Sequence, residues 1–136
     1  MIKLRIGKKM KGSAVAILDD DSNMLLLLRS EKSRWMPKKW GLPGGKIESG
    51  ETAEEAVIRE TKEEASLNIQ NLTYLKDLSN KSVDLFYTTS YDGDVQIDFE
   101  HDDYEWVSRA DVEQYDTTPR IVEIFDWILK NERTND

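Results

Sequence analysis

Gly45–Leu67, GKIESGETAEEAVIRETKEEASL, is the stretch on which the reading of this chain turns. Thr52 stands three residues before Glu55, so Thr52-Ala53-Glu54-Glu55 has the pattern of a capping box at a helix start. Ala, Glu, Lys and Arg dominate the residues after Thr52, and all favour helix. Glu54 and Glu55 fall in the first turn, where the helix dipole favours negative charge.

At about 100° per residue, with Glu60 as origin, Glu63 falls near 300° and Glu64 near 40°. Ala53, Ala56, Val57 and Leu67 share that arc, whereas Glu55, Arg59 and Lys62 lie between about 200° and 260°. A helix with an ordinary wet face sets its carboxylates opposite its alanines and valine. Here three stand among them. Unpaired inward carboxylates are costly, so such a cluster calls for a cation. Hard oxygen donors at this density suit Mg²⁺, with Mn²⁺ as the alternative.

The spacing resembles the Nudix box of MutT-like pyrophosphohydrolases, G-x5-E-x7-R-E-U-x-E-E-x-G-U with U a bulky aliphatic residue. Gly45, Glu51, Arg59, Glu60, Glu63, Glu64 and Leu67 match in register, and the preceding glycine-rich turn matches as Trp40-Gly41-Leu42-Pro43-Gly44-Gly45. Two positions depart: Thr61 replaces a large aliphatic residue, and Ser66 replaces the glycine that ends the helix with positive φ. Asn68 is the expected substitute for that left-handed turn. The resemblance implies an α+β fold, the Nudix α/β/α sandwich, with a mixed central sheet between the box helix and a C-terminal helix. It also implies one Nudix hydrolase domain over residues 1–136.

Composition sets bounds. At 136 residues the chain has the length of one domain with a real core. It holds no cysteine, which excludes disulfides and thiolate metal sites. The longest apolar runs, Ala14–Leu18 and Met24–Leu28, are too short to span a membrane. No signal-peptide pattern appears, so a cytoplasmic protein is expected. The net charge of −8 argues against general nucleic-acid binding, though not against a small nucleotide. A monomer or homodimer is expected. Basic residues gather at Lys3, Arg5, Lys8, Lys9 and Lys11, and again at Arg29, Lys32, Arg34, Lys38, Lys39 and Lys46. The second group is placed to steer polyphosphate; the first reads as ordinary surface charge.

Along the chain, residues 2–6 alternate as an edge strand. Ser13–Leu18 and Met24–Arg29 read as buried strands joined in a hairpin by the turn Asp19–Asn23. Asn68–Leu78 and Ser82–Tyr91 read as further strands. Asp92-Gly93 signals a hairpin, with Val95, Ile97 and Phe99 alternating along its return strand. Tyr104–Ser108 is a last short strand, Ala110–Tyr115 a short helix, and Thr117-Thr118-Pro119 the start of a final helix. That helix carries the stripe Ile121, Val122, Ile124, Phe125, Ile128 and Leu129, and Asn131–Asp136 forms a polar tail.

The resemblance also implies roles. Glu60, Glu63, Glu64 and the Gly44 carbonyl would hold Mg²⁺. Glu100, six residues before Trp106, would join as a metal ligand or general base, with Asp103 and Glu105 as rivals. The base itself is Glu63, Glu60 or Glu100. Arg59 would hold Glu51 or a ligand glutamate in place. Arg29 and Lys46 would meet substrate phosphate beside Gly45, whose glycine character lets backbone approach closely. Trp35 is either a base-stacking residue or loop filler, Trp40 belongs to the core, and His101 sits in solvent or bonds locally.

The implied reaction is Mg²⁺-dependent hydrolysis of a phosphoanhydride in a nucleoside diphosphate linked to another group. A (deoxy)nucleoside triphosphate is the first choice. Dinucleoside polyphosphates, ADP-ribose, nucleotide sugars and capped or triphosphorylated RNA are alternatives. Where relatives that read oxidised guanine keep an asparagine before the last helix, this chain has Asp116-Thr117-Thr118-Pro119-Arg120. A non-catalytic nucleotide sensor is the reading from another class, and an acidic helix with no site is a third.

Overall fold

A computed structural model describes residues 11–132. The expected edge strand at 2–6 lies outside the described residues. So do Lys3, Arg5, Lys8, Lys9 and the end of the polar tail.

Two apolar strands carry the architecture. β1 (Gly12–Ile17) and β2 (Met24–Arg29) are buried on both faces, as near-continuous apolar runs must be. Val15, Ile17, Leu25 and Leu27 pack on one side with Val57 and Ala65; Ala16, Leu18, Met24 and Leu26 pack on the other with Ile121, Ile124, Phe125 and Ile128. The first side is covered by α1 (Ala53–Ala65) and the second by α2 (Ile121–Asn131). The result is a helix–sheet–helix sandwich.

The remaining strands are β3 (Trp40–Gly41), β4 (Gly44–Lys46), β5 (Asn68–Gln70), β6 (Thr73–Tyr74), β7 (Val83–Thr88), β8 (Ser90–Asp92) and β9 (His101–Val107). One sheet runs β4-β1-β7-β6, with β1 parallel to β7 and its other pairs antiparallel, so it is mixed as expected. A second runs β3-β2-β9, and β5 pairs with β8.

Several local expectations change. β1 and β2 are joined by the turn at Asp19, whose Oδ1 accepts from the Asn23 amide at 2.9 Å. They form no hairpin ladder: beyond a single Leu18–Met24 bridge they diverge into different sheets. The 68–78 segment breaks at Asn71 (φ 53°) into two short strands. The expected return strand over 95–99 does not form. Its backbone instead satisfies the open end of α1, with the Gln96 amide donating to the Ala65 carbonyl (3.0 Å) and the Asp98 amide to Glu64 (3.2 Å). The alternation reflects Val95 and Ile97 packing under α1, while Phe99 is left 88% exposed. The 110–115 helix is one 3₁₀ turn, Val112–Gln114, and α2 starts after Pro119 rather than at it. Its stripe is buried as expected at Ile121, Ile124, Phe125 and Ile128.

Both ends of α1 follow from sequence. Thr52 Oγ1 accepts from the Glu55 amide at 3.0 Å, and the Glu55 carboxylate accepts from the Thr52 amide at 2.9 Å. At the C-terminus Ser66 itself adopts the left-handed conformation (φ 63°), not Asn68. Its hydroxyl donates to the Gln96 carbonyl at 3.1 Å, which ties the strained residue to the capping loop.

Candidate active site

The carboxylates of α1 divide by angle. Its buried residues are Ala56, Val57, Thr61, Glu64 and Ala65. Their centre lies about 70° from Glu60 toward Thr61 on the 100° wheel. Small Thr61 and Ala65 let the helix roll that way against the sheet. Glu64 is therefore buried at 5% exposure and Glu60 flanks it at 17%, while Glu63 stands outward at 56%. The expectation that Glu63 shares the inward face is corrected.

The glycine turn forms the floor beneath these two. β4 pairs antiparallel with β1, Gly44 opposite Ala14 and Gly45 opposite Ser13. A Cβ on Gly44 would overlap the Ser13 carbonyl and stand 2.7 Å from Ala14 Cα. A Cβ on Gly45 would collide with the Glu60 carboxylate, 2.6 Å from Oε2. So both positions require glycine, one for strand approach and the other to seat a carboxylate. The Gly44 amide donates to Glu64 Oε1 at 3.0 Å.

Burial pushes the Glu64 carboxyl up to about 9; the Gly44 hydrogen bond opposes this, and the charges of Glu60, Asp98 and Glu100 add to it. Glu60 is also raised, first by burial, with Arg59 pulling the other way. Asp98 is a member of this electrostatic cluster that the alternating pattern concealed. Its Oδ1 is paired with His101 Nδ1 at 2.9 Å. His101 is buried in β9, not in solvent, and its bond is local.

On the wet side, Arg59 gathers the remaining box residues. It donates bidentately to Glu51 (Nε 2.6 Å, Nη2 3.0 Å), to Glu60 at 3.1 Å, to Glu63 at 3.3 Å and to the Lys46 carbonyl at 3.2 Å. The Arg59 guanidinium holds the Glu51 carboxyl below the usual range, and Glu51 in turn raises Arg59. The surface-facing angle of Arg59 on the wheel does not keep its long side chain from Glu60.

A cleft of about 740 Å³ opens above the floor. Gly44, Gly45, Lys46, Glu60, Glu64 and Glu100 line it, as does Arg29. Glu51, Arg59 and Glu63 do not. Asp103 and Glu105 do not either; their charges act on Tyr115. Arg29 is partly engaged by its own loop, donating to the Trp35 carbonyl and Ser33 Oγ, both at 2.7 Å, with its guanidinium 5.1 Å from the Trp35 ring. Trp35 is 56% exposed at the cleft edge, and Trp40 packs edge-on against Tyr115 in the core. Among the described residues no three acidic or histidine side chains converge at metal-ligand spacing. The donor chemistry nonetheless fits a hard cation: buried Glu64 and half-buried Glu60 face like charges, and among the described residues Arg59 is the one cation that reaches Glu60.

A model of the NUDIX domain matches residues 8–128. The chain belongs to the Nudix family of pyrophosphohydrolases. It is 36% identical over 75 residues to the 8-oxo-dGTP diphosphatase of Escherichia coli K12, a match that covers 55% of this chain and 58% of that protein. It is 30% identical to the nucleoside triphosphatase NudI of Escherichia coli O139:H28, over 74% of this chain and 83% of that one. The MutT protein of Methanosarcina mazei Go1 has the same fold, with a TM-score of 0.71, 29% identity, and coverage of 94% and 98% of the two chains. The two-helix sandwich and mixed sheet are those of the Nudix fold. Among the described residues no helix is long and apolar enough to cross a membrane.

Proposed function

We propose that this Nudix chain hydrolyses a phosphoanhydride in a nucleoside diphosphate linked to a further group, first of all a (deoxy)nucleoside triphosphate. The observation that carries the reading is the pair of buried Glu64 and half-buried Glu60, seated against Gly44 and Gly45 beneath the cleft. The names of the diphosphatase and triphosphatase relatives support the substrate class.

Mg²⁺, or Mn²⁺, would be held by Glu60 and Glu64, with Glu63, Glu100 and the Gly44 carbonyl as the further candidate oxygens. Bound there, the cation supplies charge neutralisation for the polyphosphate and a water of lowered pKa. The chain's own residues do the rest. Lys46 and Arg29 meet the phosphate oxygens, Arg59 orients Glu51 and Glu60, and one of Glu60, Glu63 or Glu100 takes the water's proton. Thr118 and Pro119 line the cleft ahead of the last helix, in the segment where the resemblance implies that oxidised-guanine readers keep an asparagine, which disfavours discrimination for that base.

The test is turnover of nucleoside triphosphates, ADP-ribose and dinucleoside polyphosphates with and without Mg²⁺, products separated by chromatography. Metal-dependent release of a nucleotide and phosphate or pyrophosphate supports the reading. Binding without turnover across the whole panel would replace it with the sensor reading.

A further inference from the structure

The chain has one histidine, and the fold buries it: the His101 side chain, at the start of β9, is 3% exposed. A buried imidazole needs a partner, and its Nδ1 lies 2.9 Å from Asp98 Oδ1. The same oxygen accepts from the Glu100 amide at 3.2 Å. The Asp98 backbone is fixed as well, its amide donating to the Glu64 carbonyl at 3.2 Å and its carbonyl accepting from the His101 amide at 3.3 Å. The Glu100 carbonyl accepts from the Ser30 amide at 3.0 Å. Both backbone polar groups of Glu100 are therefore taken, and residues 98–101 form a closed turn tied to the end of α1 on one side and to the residue after β2 on the other. β9 shifts register against β2 at this place: Leu28 stands opposite Asp103 and Arg29 opposite His101, leaving Asp102 as the extra residue. Such a bulge ends regular pairing and re-aims the side chains beside it. The turn delivers the Glu100 carboxylate to the cleft, where its charge acts on Glu64. Among the described residues no hydrogen bond or ion pair holds that carboxylate itself, so its place is set through its backbone. A buried polar pair adds little net stability over an apolar filling, so what Asp98 and His101 contribute is one fixed conformation for this turn.

We propose that Asp98 and His101 are positioning residues of the active site: His101 fixes the Asp98 carboxylate, Asp98 fixes the Glu100 backbone, and Glu100 is thereby held as an oxygen donor beside the Glu60–Glu64 floor. This deepens the hydrolase reading and rests on it for the reaction. Neither residue touches the substrate or the cation; both act through Glu100. The link is one of hydrogen-bond geometry rather than charge, so an asparagine at 98, whose amide oxygen still accepts from the Glu100 amide and from His101, serves nearly as well as the aspartate.

The experiment has a binding arm and a turnover arm, both on the whole chain. The first measures Mn²⁺ affinity without nucleotide, from the electron paramagnetic resonance of the free ion. D98A and H101F should each weaken Mn²⁺ by about tenfold, the scale of losing a partner behind a metal ligand. H101F keeps a ring in the buried site but no Nδ1, and D98A, on the half-buried side of the pair, carries the test should H101F fail to fold. D98N should stay within about threefold of the wild type. With E100Q as the background, D98A should change Mn²⁺ affinity by less than about twofold, because the group it positions is already lost. In the turnover arm D98A should lower kcat about tenfold with Mg²⁺ and leave KM for a nucleoside triphosphate within about twofold. Equal losses from D98A with Glu100 and with E100Q, a D98N loss as large as that of D98A, or wild-type Mn²⁺ affinity in D98A would each overturn the proposal. The two readings fail separately. The Mn²⁺ pattern with no cleavage of any compound sinks the hydrolase reading and leaves the positioning; cleavage with losses that do not depend on Glu100 sinks the positioning and leaves the hydrolase.

Discussion

Glu51 and Glu64 belong to the same box and sit in opposite environments. Glu51 is clamped by a guanidinium at 2.6 Å and held ionised below the usual carboxylate range. Glu64 is bonded by the Gly44 amide and by the side chain of Glu60, and burial among like charges lifts it to about 9. The rim therefore satisfies its charge internally, whereas burial biases the floor's carboxyls toward their protonated forms. A scaffold needs only the first condition. A site poised for a divalent cation shows the second.

The largest effect expected of any single change is at the floor. E64Q should keep the hydrogen bond from Gly44 and lower turnover by about 10³-fold, the scale of losing one electrostatic contributor to the transition state. E63Q, on the exposed side, should cost less if Glu60 or Glu100 is the base; steady-state kinetics of the two variants side by side decides this. Equal losses would erase the division between floor and rim.

The two glycines sharpen the comparison next. G45A puts a methyl where the Glu60 carboxylate rests, so a flexible acid moves and activity falls by about 10²-fold with little change in melting temperature. G44A puts the methyl against β1 backbone, which cannot yield, and should destabilise the fold by about 2–4 kcal/mol in thermal or urea unfolding. R59A should lower kcat about 10- to 100-fold, the usual cost of losing a group that orients a ligand, because Glu51 loses its clamp and Glu60 and Glu63 lose theirs.

The last effect is read in stability rather than turnover, as a pH dependence without metal. The folded value for Glu64, about 9, lies above the ordinary carboxyl value of 4.5, so the folded state holds a proton that the unfolded state releases. Stability from this group is complete below the unfolded value and is lost as pH rises toward about 9. Melting curves in chelator should fall across that window in the wild type and more weakly in E64Q. Glu60 contributes with the same sign.

Much of this was legible in residue order. The Thr52–Glu55 box, the bounds of β2 and the stripe of α2 come from local spacing, because each depends on neighbours within one or two turns; the Arg59–Glu51 clamp came only with the family resemblance. What failed depended on tertiary choices. The periodicity of α1 cannot say how far the helix rolls, and the roll, set by small Thr61 and Ala65 against β1, moved Glu63 out. The 95–99 alternation fits a strand equally well, but the open carbonyls of Ala65 and Glu64 took its amides. The Asp19 turn was visible, while the divergence of β1 and β2 into separate sheets is decided by β7 and β9, far along the chain. Asp98 gave no signal of its own.

At the centre stands the Glu60–Glu64 floor, where burial raises both carboxyls and from which the proposed divalent cation would displace a proton. The direct measurement is calorimetric titration of the metal-free protein with Mg²⁺ near neutral pH, in two buffers of different ionisation enthalpy. The wild type should release about one proton per ion bound, and E64Q close to none. Binding with no proton release in the wild type, or the same release in E64Q, would contradict this.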